Sequence, residues 1–314
     1  MKNYKVYYPI NDYVRRLNRD HTNFYLRLIE DLKKTYNIVV CEDSETAHQG
    51  TTFTLESDKR VKQYLHDCEM MIEDLDNGEY YILSSHDQYT ASVLGNRNED
   101  KLKKVLFSQF IPLDMKHHAK NNYHKYHPWG YFKHSNIDIE SYYHKRQDIK
   151  NYKNELFFRG TYKDRPILKH IDKKIMPLTT GDTSKKYFED LITHKVAFTV
   201  GGSAVGDLCY RDVEYMQMGI PFIKFEYITN LDVPLIPNYH YISIELPKDM
   251  PIFNGVPKDR LGLEHHAKMV EDKYKEVIND TEFLRTISIN SRKYYEDNLS
   301  LNSMINKTRK ILGI

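Results

Sequence analysis

The feature that most constrains this chain is an alternation of strand-like and helix-like patterns. It starts at residue 4, loses regularity near residue 115 and resumes near residue 155. Residues 4–9 (YKVYYP) read as a strand. Thr22 or Asn23 suits the cap of a helix in which Phe24, Leu28 and Leu32 recur every fourth position, with Tyr25 and Ile29 beside them. Residues 37–40 (NIVV) read as the next strand. Strand, helix and strand within about 40 residues predict a βαβ unit with a parallel sheet. Residues 60–76 carry a helical pattern. Strands are expected over 79–83, running into Ser84-Ser85-His86-Asp87, and over 104–108.

The second half restarts the alternation. Residues 156–160 (LFFRG) read as a short strand entering a turn, and Pro166 suits the first turn of a helix. A helix over 185–193 precedes a buried strand at 195–200. The turn Gly201-Gly202-Ser203-Ala204-Val205-Gly206 then leads into a helix over 207–218, with Gly219 placed to end it. The next strand, 220–225, contains Pro221, which predicts an irregular or edge-like start. Another short strand is expected over 239–244, and two or three helices over 264–312.

Composition narrows the class. The 314 residues suit about two domains of average size. Lys and Arg number 46 against 44 Asp and Glu, a net charge of +2, which argues against a dedicated nucleic-acid coat. The charge is uneven: residues 41–100 hold 14 acidic and 4 basic side chains, while 101–150 hold 10 basic and 4 acidic plus six histidines. Residues 115–150 read as loop-rich, the passage from one domain to the next. Cys41, Cys68 and Cys209 lie far apart with no CxxC, which predicts neither a zinc ribbon nor a disulfide framework, and a reducing compartment. The start, MKNYKVYYPINDY, shows no leader pattern, and no run of about 18 apolar residues occurs, so no membrane span and a cytoplasmic protein are expected.

Two turns suit an anion. In open α/β sheets ligands sit beyond the carboxyl ends of strands, and helix N-termini offer free N–H groups to phosphates. The turn holding Gly201, Gly202, Ser203 and Gly206 has that setting. It is neither GxGxxG nor a P-loop, which disfavours a dinucleotide dehydrogenase or a P-loop ATPase. Arg211 and Glu214, three apart on the following helix, project from nearly one face. An Arg beside phosphates and a carboxylate on ribose hydroxyls fit a nucleotide diphosphate; a surface ion pair accounts for the same spacing. Phe158-Arg159-Gly160-Thr161 with Lys163 and Arg165 forms the second turn, for which solvated surface charge is the alternative. Asp74-Leu75-Asp76 has the DxD form of some metal-dependent transferases but reads as a helix end and turn. His117, His118, His124 and His127 lack a ligand spacing, so no metal site is assigned. Trp129 reads as core, or as a platform for stacking a sugar.

FFRGTYKDR, followed by a strand and GGSAVGDLCYRDVEYMQMGIPFIKF, resembles the nucleotide-sugar-binding half of GT-B glycosyltransferases. It is most similar to the exostosin-like and CAP10-like groups, which carry an F-[RA]-G turn with basic residues and a later Arg-x-x-Glu step with Gly and Pro. Here that step is Arg211, Glu214, Gly219 and Pro221. The resemblance covers about residues 155–226, with weaker similarity in the helical tail around Ser291-Arg292-Lys293-Tyr294-Tyr295.

The resemblance implies two Rossmann-like α/β domains facing a cleft and a helical tail. An acceptor-side domain over 1–135, a nucleotide-sugar domain over 150–290, and a helix over 291–314 packing back on the first domain are expected. Arg211 would lie near the diphosphate and Glu214 on sugar or ribose hydroxyls, with Arg159 and Lys163 or Arg165 neutralising phosphate. Such enzymes stabilise the leaving diphosphate with helix dipoles and basic side chains in place of a metal. An inverting enzyme also needs a base from the N-terminal half. The candidates at strand ends or early loops are Asp12, the Asp20-His21 pair and the His86-Asp87 pair. The expected activity is transfer from a UDP- or GDP-sugar to a hydroxyl acceptor, a glycan ahead of a nucleic acid, with no cofactor. A nucleotide-sugar epimerase of the same fold and a non-catalytic binder of polyanions or glycans are the alternatives.

Overall fold

In the computed structural model of the chain, the described residues are 1–8, 20–42, 50–60, 62–66, 69–85, 100–108, 116, 120–130, 138–147, 151–159, 165–177, 184–200, 206, 208–246, 252–253, 256–257 and 264–314. The chain divides into two units. The first comprises Met1–His134, Asn230–Asp232 and Leu301–Ile314; the second comprises Ser135–Thr229 and Val233–Ser300. Both are α/β.

The first unit is built on β1 (Asn3–Tyr8), β2 (Asn37–Glu42), β5 (Glu69–Asp74), β6 (Tyr80–Ser84), β7 (Leu102–Phe107) and β8 (Tyr126–Pro128), in the order β2-β1-β5-β6-β7-β8. The hairpin of β3 (Gly50–Thr54) and β4 (Lys62–His66) is a separate two-stranded sheet packed on the same core. Strand β1 shows how side-chain alternation sorts the layers. Tyr7 meets Phe53 of the hairpin edge-on at 5.5 Å, while its neighbour Tyr8 meets Tyr25 of α1 (Asp20–Leu32) at 5.1 Å. Phe24, Tyr25, Leu28, Ile29 and Leu32 of α1 are all buried, as their spacing predicts. The C-terminal helix, Leu301–Leu312, belongs to this unit. Its Thr308 Oγ1 accepts from Trp129 Nε1 at 3.0 Å, and its Arg309 pairs with Asp31 of α1 at 2.9 Å. Trp129 is therefore core, edge-on to Phe24 at 5.5 Å.

Several sequence expectations are corrected here. Residues 60–76 are not helical: they hold β4 and β5. Strand β5 is buried along its whole length between β1 and β6, so EMMIED shows no alternation that would mark it as a strand. The sheet is mixed instead of parallel, because a tight turn joins β5 to β6 and forces them antiparallel. Asp74 and Asp76 make that turn. Asp74 Oδ1 accepts the Asp76 N–H at 3.0 Å, and Gly78 takes φ +72°, a conformation glycine adopts freely. Within 115–150, read as loop-rich, lie a 3-10 helix (Lys120–Lys125), β8 and α2 (Ile139–Gln147). His127 is in β8 and His124 is exposed, while His117 and His118 lie outside the described residues.

The second unit has a four-stranded, all-parallel sheet in the order β12-β11-β10-β9. Its strands are β9 (Lys153–Phe157), β10 (His194–Phe198), β11 (Phe222–Phe225) and β12 (Ile242–Ile244). Helices α2, α3 (Ser184–Leu191), α4 (Tyr210–Gln217), α5 (Glu264–Val277) and α6 (Thr281–Asn298) complete it. Pro221 lies one residue before β11, so this strand is interior and not edge-like. Helix α4 ends in a Schellman motif: Ile220 N–H bonds to Tyr215 C=O at 2.8 Å and Gly219 N–H to Met216 C=O at 3.1 Å, with Gly219 at φ +60°. Arg292 of α6 bonds the carbonyl of Gln217, the last residue of α4, and pairs with Glu140 of α2 at 2.7 Å. Buried Arg146 of α2 donates to the carbonyls of Ile192 and His194 at 2.7 and 2.8 Å. Burial pushes its pKa down to about 10.

One buried carboxylate in the first unit supports a stability test. Glu73 of β5 accepts from the Tyr7 hydroxyl, the Glu56 N–H at 3.0 Å and the Ser57 N–H at 2.8 Å. Burial, then the bond to Glu73, pushes the Tyr7 hydroxyl pKa up, so it stays a donor. Glu73→Ala leaves the Ser57 N–H and the Tyr7 hydroxyl proton without their acceptor, while the Glu56 N–H keeps the Tyr7 oxygen at 2.9 Å, and is expected to cost about 2–4 kcal/mol. Urea unfolding of the full chain measures it, and a change below about 0.5 kcal/mol contradicts this account.

Candidate functional site

Strands β9 and β10 run parallel, so the segments after them leave the same end of the sheet. Arg159 follows β9. It is buried, and its Nη2 pairs with Asp190 Oδ2 at 2.8 Å. Asp190, in α3, also pairs with Lys153 at 2.9 Å. Burial alone would raise the Asp190 pKa, but the Lys153 bond and the charges of Lys153, His194 and Arg159 hold it below the ordinary carboxylate value.

Helix α4 follows β10. Cys209 is its N-cap, and the Asp212 carboxylate turns back to accept the Cys209 N–H at 3.0 Å. The same carboxylate meets Lys224 Nζ of β11 at 3.0 Å, with both side chains fully buried. The Lys224 ammonium also lies 4.9 Å from the Tyr227 ring centroid. These contacts fix the first turn of α4 to the middle of the sheet. Gly206, just upstream, is buried against the segment after β11. A Cβ there would lie 2.5 Å from the Glu226 carbonyl oxygen, and the Gly206 C=O accepts the Ile228 N–H at 2.9 Å. Close backbone approach, and not a positive φ, requires glycine at this position.

Arg211 sits one residue before Asp212. Its Nε donates to the Arg159 carbonyl at 3.1 Å, and its guanidinium lies 5.3 Å from the Phe158 ring centroid. Among the described residues its two Nη groups have no hydrogen-bond partner. Burial works against the Arg211 cation, but nearby Tyr215, Cys209, Tyr187 and Glu214 outweigh it and raise its pKa. Glu214 is buried, and its Oε2 accepts from the Tyr187 hydroxyl at 3.1 Å. Burial, then the Glu214 charge, pushes the Tyr187 pKa well up.

Of the residues expected from sequence, the structure thus joins Arg159 and Arg211 directly, with Glu214 on the same helix. The pair on α4 is not a surface ion pair: Arg211 reaches the Arg159 carbonyl and Glu214 reaches Tyr187. Arg165 opens a 3-10 turn, Pro166–Lys169. Asp20 and His21 open α1. Asp12, His86, Asp87, Gly160, Lys163, Gly201, Gly202 and Ser203 lie outside the described residues. Sequence reasoning missed Asp212, Lys224, Tyr187 and Asp190. A signal existed for one of them: a lysine inside the apolar run IPFIKF needs a buried carboxylate. Among the described residues no three of His, Cys, Asp or Glu gather as metal ligands, and no helix is long and apolar enough to cross a membrane.

No protein-family model and no curated protein matches the chain. Among solved structures it is similar to a glycosyltransferase from Rickettsia africae at 14% identity and a TM-score of 0.41, covering 67% of this chain and 62% of that one. It is also similar to Anabaena HepE in complex with UDP, at 10% identity and a TM-score of 0.46, covering 71% and 67%. A third is sucrose-phosphate synthase from Thermosynechococcus elongatus, at 10% identity and a TM-score of 0.43, covering 71% and 59%. The chain therefore spans less than two thirds of the first and third of these proteins. None of the three is described as exostosin-like or CAP10-like.

The buried pair gives a second stability test. Lys224→Met leaves Asp212 as an unpaired buried charge and is expected to cost roughly 3–5 kcal/mol. Adding Asp212→Asn removes that charge, so the double variant is expected to recover at least half of the loss in urea unfolding. A double variant as unstable as the single one contradicts the pairing.

Proposed function

We propose that this chain is a glycosyltransferase that moves a sugar from a nucleotide-diphosphate sugar to a hydroxyl acceptor, a glycan ahead of a nucleic acid. The observation that carries the proposal is Arg211. It is anchored through Nε and an aromatic face, its Nη groups have no hydrogen-bond partner among the described residues, and it lies in the first turn of a helix that starts beyond a strand's carboxyl end. A planar guanidinium held this way is prepared for two parallel bonds to phosphate oxygens. The helix N-terminus adds partial positive charge in the same region. The sequence resemblance supports the nucleotide-sugar class for this anion.

In the proposed reaction the bond between the sugar's anomeric carbon and the diphosphate oxygen breaks. A bond to the acceptor oxygen forms, and the acceptor's proton passes to a base. Arg211, with the helix terminus and two segments, one holding Gly160 and Lys163 and the other Gly201, Gly202, Ser203 and Gly206, stabilises charge developing on the departing diphosphate, without a metal. Arg159 and Arg165 support the first of these segments, and Glu214 takes a hydroxyl of the ribose or sugar. The base is to be sought among Asp12, Asp20, His21, His86 and Asp87. Residues 1–135 are assigned to the acceptor and 150–290 to the donor; of the tail 291–314, residues 291–298 end α6 of the second unit and the helix Leu301–Leu312 belongs to the first.

Thermal denaturation with UDP, GDP and their sugars tests the reading, because a ligand that binds the folded state raises Tm by linkage. One nucleotide is expected to raise the Tm of the wild type. Arg211→Ala is expected to weaken that nucleotide by about 10-fold or more, as loss of a charge-assisted bond implies. Equal shifts in wild type and variant would remove Arg211 from the site, and no shift with any nucleotide would sink the proposal.

A further inference from the structure

A cavity of about 370 Å³ lies within the second unit, between residues 233–240 and helix α6. It adjoins the amino end of β12, whereas Arg211 lies beyond the carboxyl ends of the parallel strands. The Tyr294 hydroxyl of α6 ties down the Val233 carbonyl at 2.6 Å. The turn before β12 is closed by bonds from the Tyr239 and His240 N–H groups to the Ile236 carbonyl at 3.2 and 2.9 Å. The walls are thus held in place without a ligand, as small-molecule sites usually are.

The lining is amphipathic. Val233, Ile236 and Tyr239, all in the lining, are exposed at 42%, 51% and 48%. Tyr294 and His240 meet at 4.9 Å between ring centroids and add aromatic surface. His240 is nine-tenths buried, and its Nδ1 accepts the Ile236 N–H at 2.9 Å. That bond puts the ring proton on Nε2. Burial holds the His240 pKa below the ordinary imidazole value, so the ring is neutral at pH 7 and Nε2 is a donor. Among the described residues no acceptor takes that proton. Asn290 also lines the cavity, and its side-chain amide has no hydrogen-bond partner among the described residues. Lys293 and Asp297 stand together at the rim, paired at 2.9 Å.

This chemistry selects a ligand class. A phosphate would find one lysine, already neutralised by Asp297. A purely apolar ligand would bury the His240 donor and the Asn290 amide without partners, at a cost of about 1–3 kcal/mol each. An uncharged polyhydroxyl ring with an apolar C–H face satisfies both: the face lies on the aromatic surface, and the hydroxyls reach the imidazole, the amide and Asp297. We propose that this cavity is a carbohydrate-binding site for one or two neutral sugar units, separate from the Arg211 site and independent of the transferase reading.

Saturation-transfer NMR on the full chain tests it with maltotetraose, cellotetraose and chitotetraose. At least one is expected to bind. Tyr239→Ala and Asn290→Ala each alter a partly exposed side chain, and each is expected to weaken that sugar by about 10-fold with Tm unchanged. Arg211→Ala is expected to leave it unaffected. The proposal is overturned if none of the three binds the wild type, or if Tyr239→Ala and Asn290→Ala bind as the wild type does. Loss in Arg211→Ala alone would overturn it too, by assigning the sugar to the other site. Nucleotide binding that survives Tyr239→Ala keeps the two proposals separable.

Discussion

A lysine and an aspartate, both out of reach of water, hold the candidate site together. Removing either charge from solvent costs several kcal/mol, and the pair recovers this only while the two stay in contact. Asp212 is in the first turn of α4, and Lys224 is on the interior strand β11. Their contact therefore sets where the helix begins relative to the sheet. Asp212 also accepts the Cys209 N–H, so one carboxylate serves both the cap and the ion pair. The position of Arg211 follows from this. With only eight residues, α4 is well short of the roughly 12–15 that a helix needs to be even marginally stable alone. It is pinned at both ends: the buried pair holds its start, and Gly219 and Arg292 hold its finish.

The first unit solves a comparable problem without a cation. Glu73 lies on a strand covered on both faces, where a carboxylate is costly unless its lone pairs are filled. Two backbone N–H groups and the Tyr7 hydroxyl fill them, and in doing so they tie residues 56–57 to β1 and β5. In both units a buried carboxylate fixes the start of a segment that local propensity leaves undetermined.

These buried charges also mark the limit of what sequence can show. Helix α1, the β1–α1–β2 unit, the alternation from β9 to β11, the Gly219 stop and the helical tail were legible because periodicity and glycine chemistry act locally. Strand β5 was not legible. Its acidic residues imitate a helix face, and the partners that make them tolerable lie 16 and 66 residues away. For the site, Arg211, Glu214 and Arg159 stand out in the sequence, and the structure brings the Arg211 Nε to the Arg159 carbonyl. Asp212 and Lys224 were not legible, because a caps-and-pairs role depends on which strand lies beneath the helix.

The partners of the three charged residues divide their work. Arg159 is paired to Asp190, and Glu214 Oε2 is engaged by Tyr187. A ligand calling on either must first draw it from a partner, and that separation offsets much of what the new bond would contribute. Arg211 faces no such cost: Nε and its aromatic contact hold it, and its Nη groups lack partners among the described residues. The carbonyl of Arg159, more than its guanidinium, is what this residue gives to Arg211. The proposed anion recognition thus relies on one prepared cation and a helix terminus where the Asp212 carboxylate is paired with Lys224. Without that neutralisation, Asp212 would set a negative charge beside the place where a diphosphate is proposed to bind.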